Sequence, residues 1–305
     1  MKKYILLAFM VFFLTCDDGD INTINLDFED TFTALECNGN IILYKTKSDP
    51  AESLAIVLNG LTIEDLQNIT NSTEYNIDGN TVRFNYRTYS NATIDGNEVF
   101  CSNIPPSSVM IISDDESSAG TITITNVLVE EDDDGIPAEF EDINGNGDLD
   151  DDDTDMDGVP NYLDEDDDGD NVSTSNEDVD PNGDGDFSDA LDTDGDGTPN
   201  YLDNDDDGDG IETRDEENIS QDLNPINDIS ADINGVPTED YLNPNVAVQA
   251  IDTSQFYHHE IQQTYTITII VRDFNLSTLT QQELDFGTLS GSGSTSSRVP
   301  DLIFN

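Results

Sequence analysis

Apolar and polar residues alternate with a period of two at both ends of this chain, and that period predicts β-strands. In the N-terminal part the alternation runs through Ile21–Phe28, Thr81–Tyr86 and Thr121–Val127. Apolar runs of strand length lie at Asn40–Tyr44, Leu54–Leu58 and Val109–Ile112. Turn pairs separate them: Asn38-Gly39, Asn59-Gly60, Asp78-Gly79, Asp95-Gly96 and Pro105-Pro106. One helical turn is predicted, over Ile63–Ile69. Six or more strands between residues 22 and 129 predict an antiparallel β-sandwich able to hold its own core. The β pattern returns over residues 247–305, led by Thr264–Val271, with Glu283–Leu289 and Val299–Phe304 as further strands. The tract Ser290–Ser297 is a flexible loop by composition. Three or four strands make a marginal core. This C-terminal region therefore either docks on the first sheet or forms a small sheet of its own. The fold class is mainly β.

Residues 130–217 follow neither period. They hold 39 of the chain's 68 Asp and Glu residues and a single basic residue, Arg214. The acids keep a register, D-x-D/N-x-D/N-G with another acid near the twelfth place, repeated about every dozen residues. The clearest copies are DTDMDGVPNYLD, with Asp153, Asp155, Asp157 and Asp164, and DTDGDGTPNYLD, with Asp192, Asp194, Asp196 and Asp203. DDDGDGIETRDE supplies Asp205, Asp207, Asp209 and Glu216. Asp166, Asp168, Asp170 and Glu177 form another copy, with Asn171 in the glycine place. Asp142, Asn144, Asn146 and Asp153 fit as well, and so do Asp180, Asn182, Asp184 and Asp192 with one extra residue. A weaker copy has Glu130, Asp132, Asp134 and Glu141. That makes about seven candidate loops laid end to end.

The spacing has a chemical reason. Calcium takes six to eight oxygens at roughly 2.3–2.6 Å, so carboxylates at places 1, 3 and 5 converge only if the chain curls around the ion. The sixth residue then turns sharply, which glycine does without strain and asparagine at small cost. Place 7 offers its backbone carbonyl, and its side chain is often apolar here: Ile136, Val159, Val172, Ile211. The twelfth residue closes the site. Magnesium prefers a stiffer octahedron and keeps its water, so flexible all-protein loops favour Ca2+. With no Cys or His in the stretch, zinc and copper are disfavoured. Plain acidity would give a solvated, self-repelling segment, but it would not keep glycine at place 6 through successive copies.

Successive loops abut, with Asp153 and Asp192 each closing one and opening the next, so no helical hairpin fits between them. The two long copies, DTDMDGVPNYLDEDDDGD and DTDGDGTPNYLDNDDDGDG, resemble thrombospondin type-3 repeats in the cysteine-poor form of bacterial surface proteins. The resemblance implies a chain wound around calcium ions with little hydrophobic interior. Its animal members are stapled by disulfides, which this stretch lacks. Phe140, Tyr162, Leu163, Tyr201 and Leu202 recur after the loops as pegs between repeats. In residues 218–246 the pattern decays, leaving Asp232 and Asn234 as ligand types and no tightly bound ion expected.

The formal charge of −59 repels phosphates, which excludes nucleic acid as a natural partner. At the N-terminus, Lys2 and Lys3 precede an apolar run, Tyr4–Leu14, too short to span a bilayer, and Cys16 follows. Residues 1–16 resemble a bacterial lipoprotein signal in which Cys16 carries the lipid, although Thr15 stands where Gly, Ala or Ser is usual. The acidic tether at 17–21 resembles a tag that sends lipoproteins to the outer face of the outer membrane. In an exported chain the two remaining cysteines, Cys37 and Cys101, are free to form a disulfide.

No nucleophile elbow, phosphate loop or nucleotide fingerprint appears. His258-His259-Glu260 reads as an exposed polar stretch. The expectation is a non-enzymatic, calcium-binding structural or adhesive lipoprotein at the outer-membrane surface, its repeats a calcium-stiffened spacer. The alternative is a module that binds a glycan or a surface protein, with the repeats as a passive stalk.

Overall fold

The computed structural model of this chain describes residues 26–101, 107–217, 222–246, 259–277 and 280–302. Cys16, its signal, the tether at 17–21 and His258 lie outside the described residues.

The N-terminal strands are β1 (Thr31–Cys37), β2 (Asn40–Lys47), β3 (Glu52–Asn59), β4 (Asn71–Asn76), β5 (Val82–Tyr89), β6 (Ile111–Glu116) and β7 (Thr121–Glu131), of which β1 and β4 fall where the sequence predicted none. After the acidic stretch come a small hairpin, β8 (Ile229–Ala231) and β9 (Pro237–Glu239), and then β10 (Ile261–Asn275), β11 (Thr280–Leu289) and β12 (Thr295–Arg298). Two short helices join them: α1 (Ile63–Gln67), N-capped by Thr62, and α2 (Gly96–Phe100), N-capped by Asp95. The Asp95-Gly96 turn pair is thus a helix start.

The strands order as β4-β7-β10-β11-β1-β2-β3-β5-β6, with β12 also on β10. Of the two arrangements open to the C-terminal region, docking is the one found. β10 pairs with β7 along eleven residues, from Gln262–Glu131 to Arg272–Thr121. The pairing follows from β10's alternation, which buries Ile261, Tyr265, Ile267, Ile269 and Val271 on one face, while Phe274 reaches the core after a break at Asp273, φ +52°. The sheet is mixed, not wholly antiparallel, because β1 runs parallel to β11. At that seam β11 steps in register against β10 between Ile269 and Ile270. Gly287 sits there at φ +90°, and a Cβ on it would strike the Asp30 carbonyl. The Thr288 and Ser290 N–H groups then donate to the Asp30 and Phe32 carbonyls at 2.9 and 3.0 Å. Glycine lets the strand kink enough to accept a parallel neighbour.

The two halves of the sheet curl face to face over one core. Phe84 of β5 sets its ring edge-on to Phe274 of β10 and Phe286 of β11, with centroids 5.1 and 6.4 Å away. Ile41, Leu43, Leu54, Ile56, Ile122, Ile124 and Ile267 fill the space around them. Burying a side chain of that size contributes about 2–3 kcal/mol. On the opposite face of β1–β3, Cys37, Ile42, Tyr44 and Ala55 pack beneath Phe100 and Cys101 of the α2 region. Cys37 and Cys101 are joined by a disulfide, with Cα atoms 5.4 Å apart.

Several sequence expectations are corrected. The described part of Ile21–Phe28, residues 26–28, is not strand; β1 starts at Thr31. Its residues and those of β4 are too polar on one side to show a clear period, and neighbouring strands impose their conformation. Of Val109–Ile112 only Ile111 and Ile112 are strand. The final strand lies at Thr295–Arg298, inside and just past the Ser-rich tract, and not over the described part of Val299–Phe304. There Ile261–Thr264 of β10 offers unpaired backbone, and small polar residues serve as well as apolar ones for an exposed edge. β7 also runs on to Glu131, past the boundary expected at 129/130.

Candidate metal centres

The acidic stretch contains no strand or α-helix among its described residues beyond the end of β7. Its order comes from one wiring scheme used again and again. The place-5 side chain accepts from the place-7 N–H in all seven loops: Asp134 from Ile136 at 2.7 Å, Asn146 from Asp148 at 2.6 Å, and Asp157 from Val159 at 2.8 Å. Asp170, Asp184, Asp196 and Asp209 do the same. The place-1 carboxylate accepts from the place-6 N–H in six loops, through Asp142, Asp153, Asp166, Asp180, Asp192 and Asp205. Place 6 has a positive φ throughout, from 70° at Asn171 to 107° at Gly135, hence the glycine. After each curl the chain makes a single 3-10 turn, at Asn161–Leu163 and Asn200–Leu202 for example.

This wiring gathers carboxylates. Asp168, Asp170 and Glu177 meet Asp206, with one oxygen of each within 4.8 Å of the others. Equally tight groups form from Asp132, Asp134 and Glu141; from Asp153, Asp155 and Asp157; from Asp192, Asp194 and Asp196; and from Asp205, Asp207 and Asp209. The first two groups are buried, the Asp192 group is exposed, and the others are intermediate. Glu141 and Glu177 close their groups as expected, whereas Asp164, Asp203 and Glu216 lie outside the tight groups of their loops, although each is raised in pKa by burial and then by its loop's acids.

Other predicted ligands are placed differently. Glu130 belongs to β7, where it accepts from Gln263 at 2.8 Å and pairs with Arg298 at 2.7 Å. The strand ends at Glu131 and the backbone turns at Asp133, φ +67°, so Glu130 stays with its sheet partners and is not in the group of Asp132, Asp134 and Glu141. Asp153 and Asp192 join the groups of the loops they open. In the loop before Asp153 the Asn144 amide donates to Asp151 and Asp152, and that of Asn146 to Asp151. Asn182 donates likewise to Asp189. In both loops the 3-10 turn (Leu149–Asp151, Phe187–Asp189) swings the tenth residue over the curl. Both loops are open, as the Asp192 loop is, with Asn144, Asn146, Asn182 and Asp184 exposed.

Sequence reasoning missed Asp206. Its signal was the surplus acid at the second place of D-D-D runs, which the twelve-residue pattern does not use. His259 is buried, not part of an exposed stretch, and its Nδ1 lies 3.0 Å from Asp164 Oδ1. Of the aromatic and leucine pegs, Phe140 meets Phe187 at 5.1 Å, whereas Leu163 packs with Val159 against Ile261 of β10. That contact fastens the third loop to the β body. Asp232 and Asn234 shape the β8–β9 turn, the Asp232 carboxylate accepting from the Asn234 and Val236 N–H groups.

Does this donor set fit a calcium ion? The oxygens are all hard ligands, and many lack another partner. Both oxygens of Glu177, and one each of Asp132, Asp134, Asp168 and Asp170, are buried without a hydrogen bond. Burying a lone carboxylate costs several kcal/mol unless a cation or a proton neutralises it. Burial, reinforced by Asp132 and Asp134, pushes Glu141 up to about 9. Burial and then Asp207 push Glu216 up to about 9. Asp168, Asp170 and Glu177 are pushed well above the usual range by burial first and by neighbouring carboxylates second, Asp170 for Asp168 and Glu177, and Asp166 for Asp170. Such groups either hold protons at pH 7 or face a cation, and their convergence suits the cation.

Residues 131–187 match the family model described as BamM C-terminal. The match likens this part of the acidic stretch to a bacterial outer-membrane-associated domain, not to the thrombospondin type-3 family. No curated protein and no solved structure matches the chain. Among the described residues no helix is long and apolar enough to cross a membrane.

Proposed function

We propose that this protein is a non-enzymatic structural lipoprotein of the bacterial outer membrane whose acidic loops take up Ca2+ and stiffen on doing so. The observation that carries the reading is the buried group of Asp168, Asp170, Glu177 and Asp206, four carboxylates with oxygens within 4.8 Å and unpartnered atoms among them. Ligation supplies the order that the stretch, with its scant apolar interior, lacks on its own. The BamM C-terminal match supports an outer-membrane setting, and Cys16 within its lipoprotein-like signal supports the lipid anchor. Thrombospondin-like winding around the ions remains the sequence resemblance that best accounts for abutting loops. Extracellular modules of this kind bind calcium at about 10⁻⁴ to 10⁻³ M.

Calorimetry and light scattering on the full chain, with calcium and with chelator, test the reading. Heat of binding with a smaller hydrodynamic radius in calcium is expected; no heat and an unchanged radius would sink it. A Cys16→Ser variant released from the membrane fraction is the matching result for the anchor. The rival reading, a glycan- or protein-binding module, has one observation in its favour. The edge strand β6 and its approach leave Met110 and Ile112 64% and 69% exposed. A calcium-independent glycan-array hit lost on changing those two residues would favour it.

A further inference from the structure

Within a calcium-type loop, side chains at places 1, 3 and 5 converge, so the side chain at place 2 points away from its own ion. Two loops nonetheless carry a buried aspartate there: Asp167 and Asp206, 1% and 2% exposed. Both are held in the same way. The N–H of each donates at 3.2 Å to the threonine at the ninth place, Thr174 and Thr213. Asp206 leaves its own loop and joins Asp168, Asp170 and Glu177 of the loop that begins 39 residues earlier. Asp167, the equivalent residue, has as its electrostatic neighbours Glu141, Asp134 and Asp132, the buried group of an earlier loop. Neither Asp167 oxygen accepts a hydrogen bond. A buried, unpartnered carboxylate beside three more is a ligand in want of an ion.

We propose that the two deepest ions are each held by two repeats at once: Asp206 closes the site of Asp168, Asp170 and Glu177, and Asp167, held in the same way in its own loop, closes that of Asp132, Asp134 and Glu141. This deepens the calcium reading above and rests on it. The loops then form one chain of cross-links. A site is complete only when the following repeat is folded, so loading one site orders the next and calcium uptake is cooperative.

The test compares the full wild-type chain with Asp167→Asn, Asp206→Asn and, as control, Asp178→Asn, an exposed acid between loops. Calcium calorimetry reads affinity and slope, and thermal unfolding is followed in calcium and in chelator. The expected result for D167N and D206N is about a tenfold weaker cooperative phase and a shallower slope. Their midpoints in chelator should stay unchanged or rise, because each removes a buried unpaired charge. A variant that is merely misfolded lowers the midpoint under both conditions, and that outcome overturns the proposal. Should both variants titrate like D178N while the wild type binds calcium, bridging is refuted and the calcium reading stands. A wild type that takes up no calcium refutes both.

Discussion

The sharpest consequence of the buried carboxylate group concerns Glu177→Gln. At an effective dielectric of about 20, a divalent ion about 2.4 Å away attracts the Glu177 carboxylate by roughly 14 kcal/mol. Asp168, Asp170 and Asp206, within 4.8 Å, repel it by at least roughly 10 kcal/mol at the same dielectric. The net loss on neutralising it is thus at most about 4 kcal/mol. Glutamine keeps an oxygen in place, so a loss of about 2 kcal/mol is expected, roughly thirtyfold in the affinity of that site. The same change removes repulsion when no ion is bound. Glu177→Gln should therefore lower the thermal midpoint in millimolar calcium and raise it in chelator. Differential scanning calorimetry of the full chain under both conditions measures the two signs. A fall of equal size in both would show that Glu177 is an ordinary packing or hydrogen-bonding residue, and the argument from converging charge would fail.

The chelated protein should also respond to pH in a defined sense. Glu141 and Glu216, raised to about 9, and Asp155, raised to about 7 by burial, bind protons more tightly folded than unfolded, where carboxyls titrate near ~4. Their stabilising effect is full below about pH 4 and is lost as pH rises through about 7 to 9, so the radius in chelator should grow from pH 5 to pH 9; equal radii would contradict it. Glu130→Gln should leave the number of bound calcium ions unchanged and cost less than about 1 kcal/mol, since its ion pair with Arg298 is partly exposed, and one ion fewer by calorimetry would return Glu130 to the ligands. Phe84→Ala should cost about 3–5 kcal/mol in denaturant unfolding of the β body, with or without calcium, and a loss seen only in calcium would mean the core and the loops are not separately stabilised.

The curl of each loop was legible in the sequence because its causes are local. The place-5 side chain accepts the N–H two residues on, the place-1 carboxylate accepts the N–H of place 6, and glycine there takes the positive φ, whatever the rest of the chain does. The strands with strict alternation, such as β7 and β10, were legible for the same reason. Glu130 shows where local reading ends. It satisfies the spacing, yet its sheet partners Gln263 and Arg298 take its carboxylate.

By itself, then, the chain determined its class, its loops, their hard-oxygen chemistry and the strongest strands, all properties of neighbours within about a dozen residues. Tertiary structure alone decided that β10 and β11 complete the N-terminal sheet, that His259 lies against Asp164, and that Asp206 leaves its own loop for another. Those outcomes depend on groups tens to hundreds of residues apart competing for the same burial and the same charge, and no periodicity records that competition.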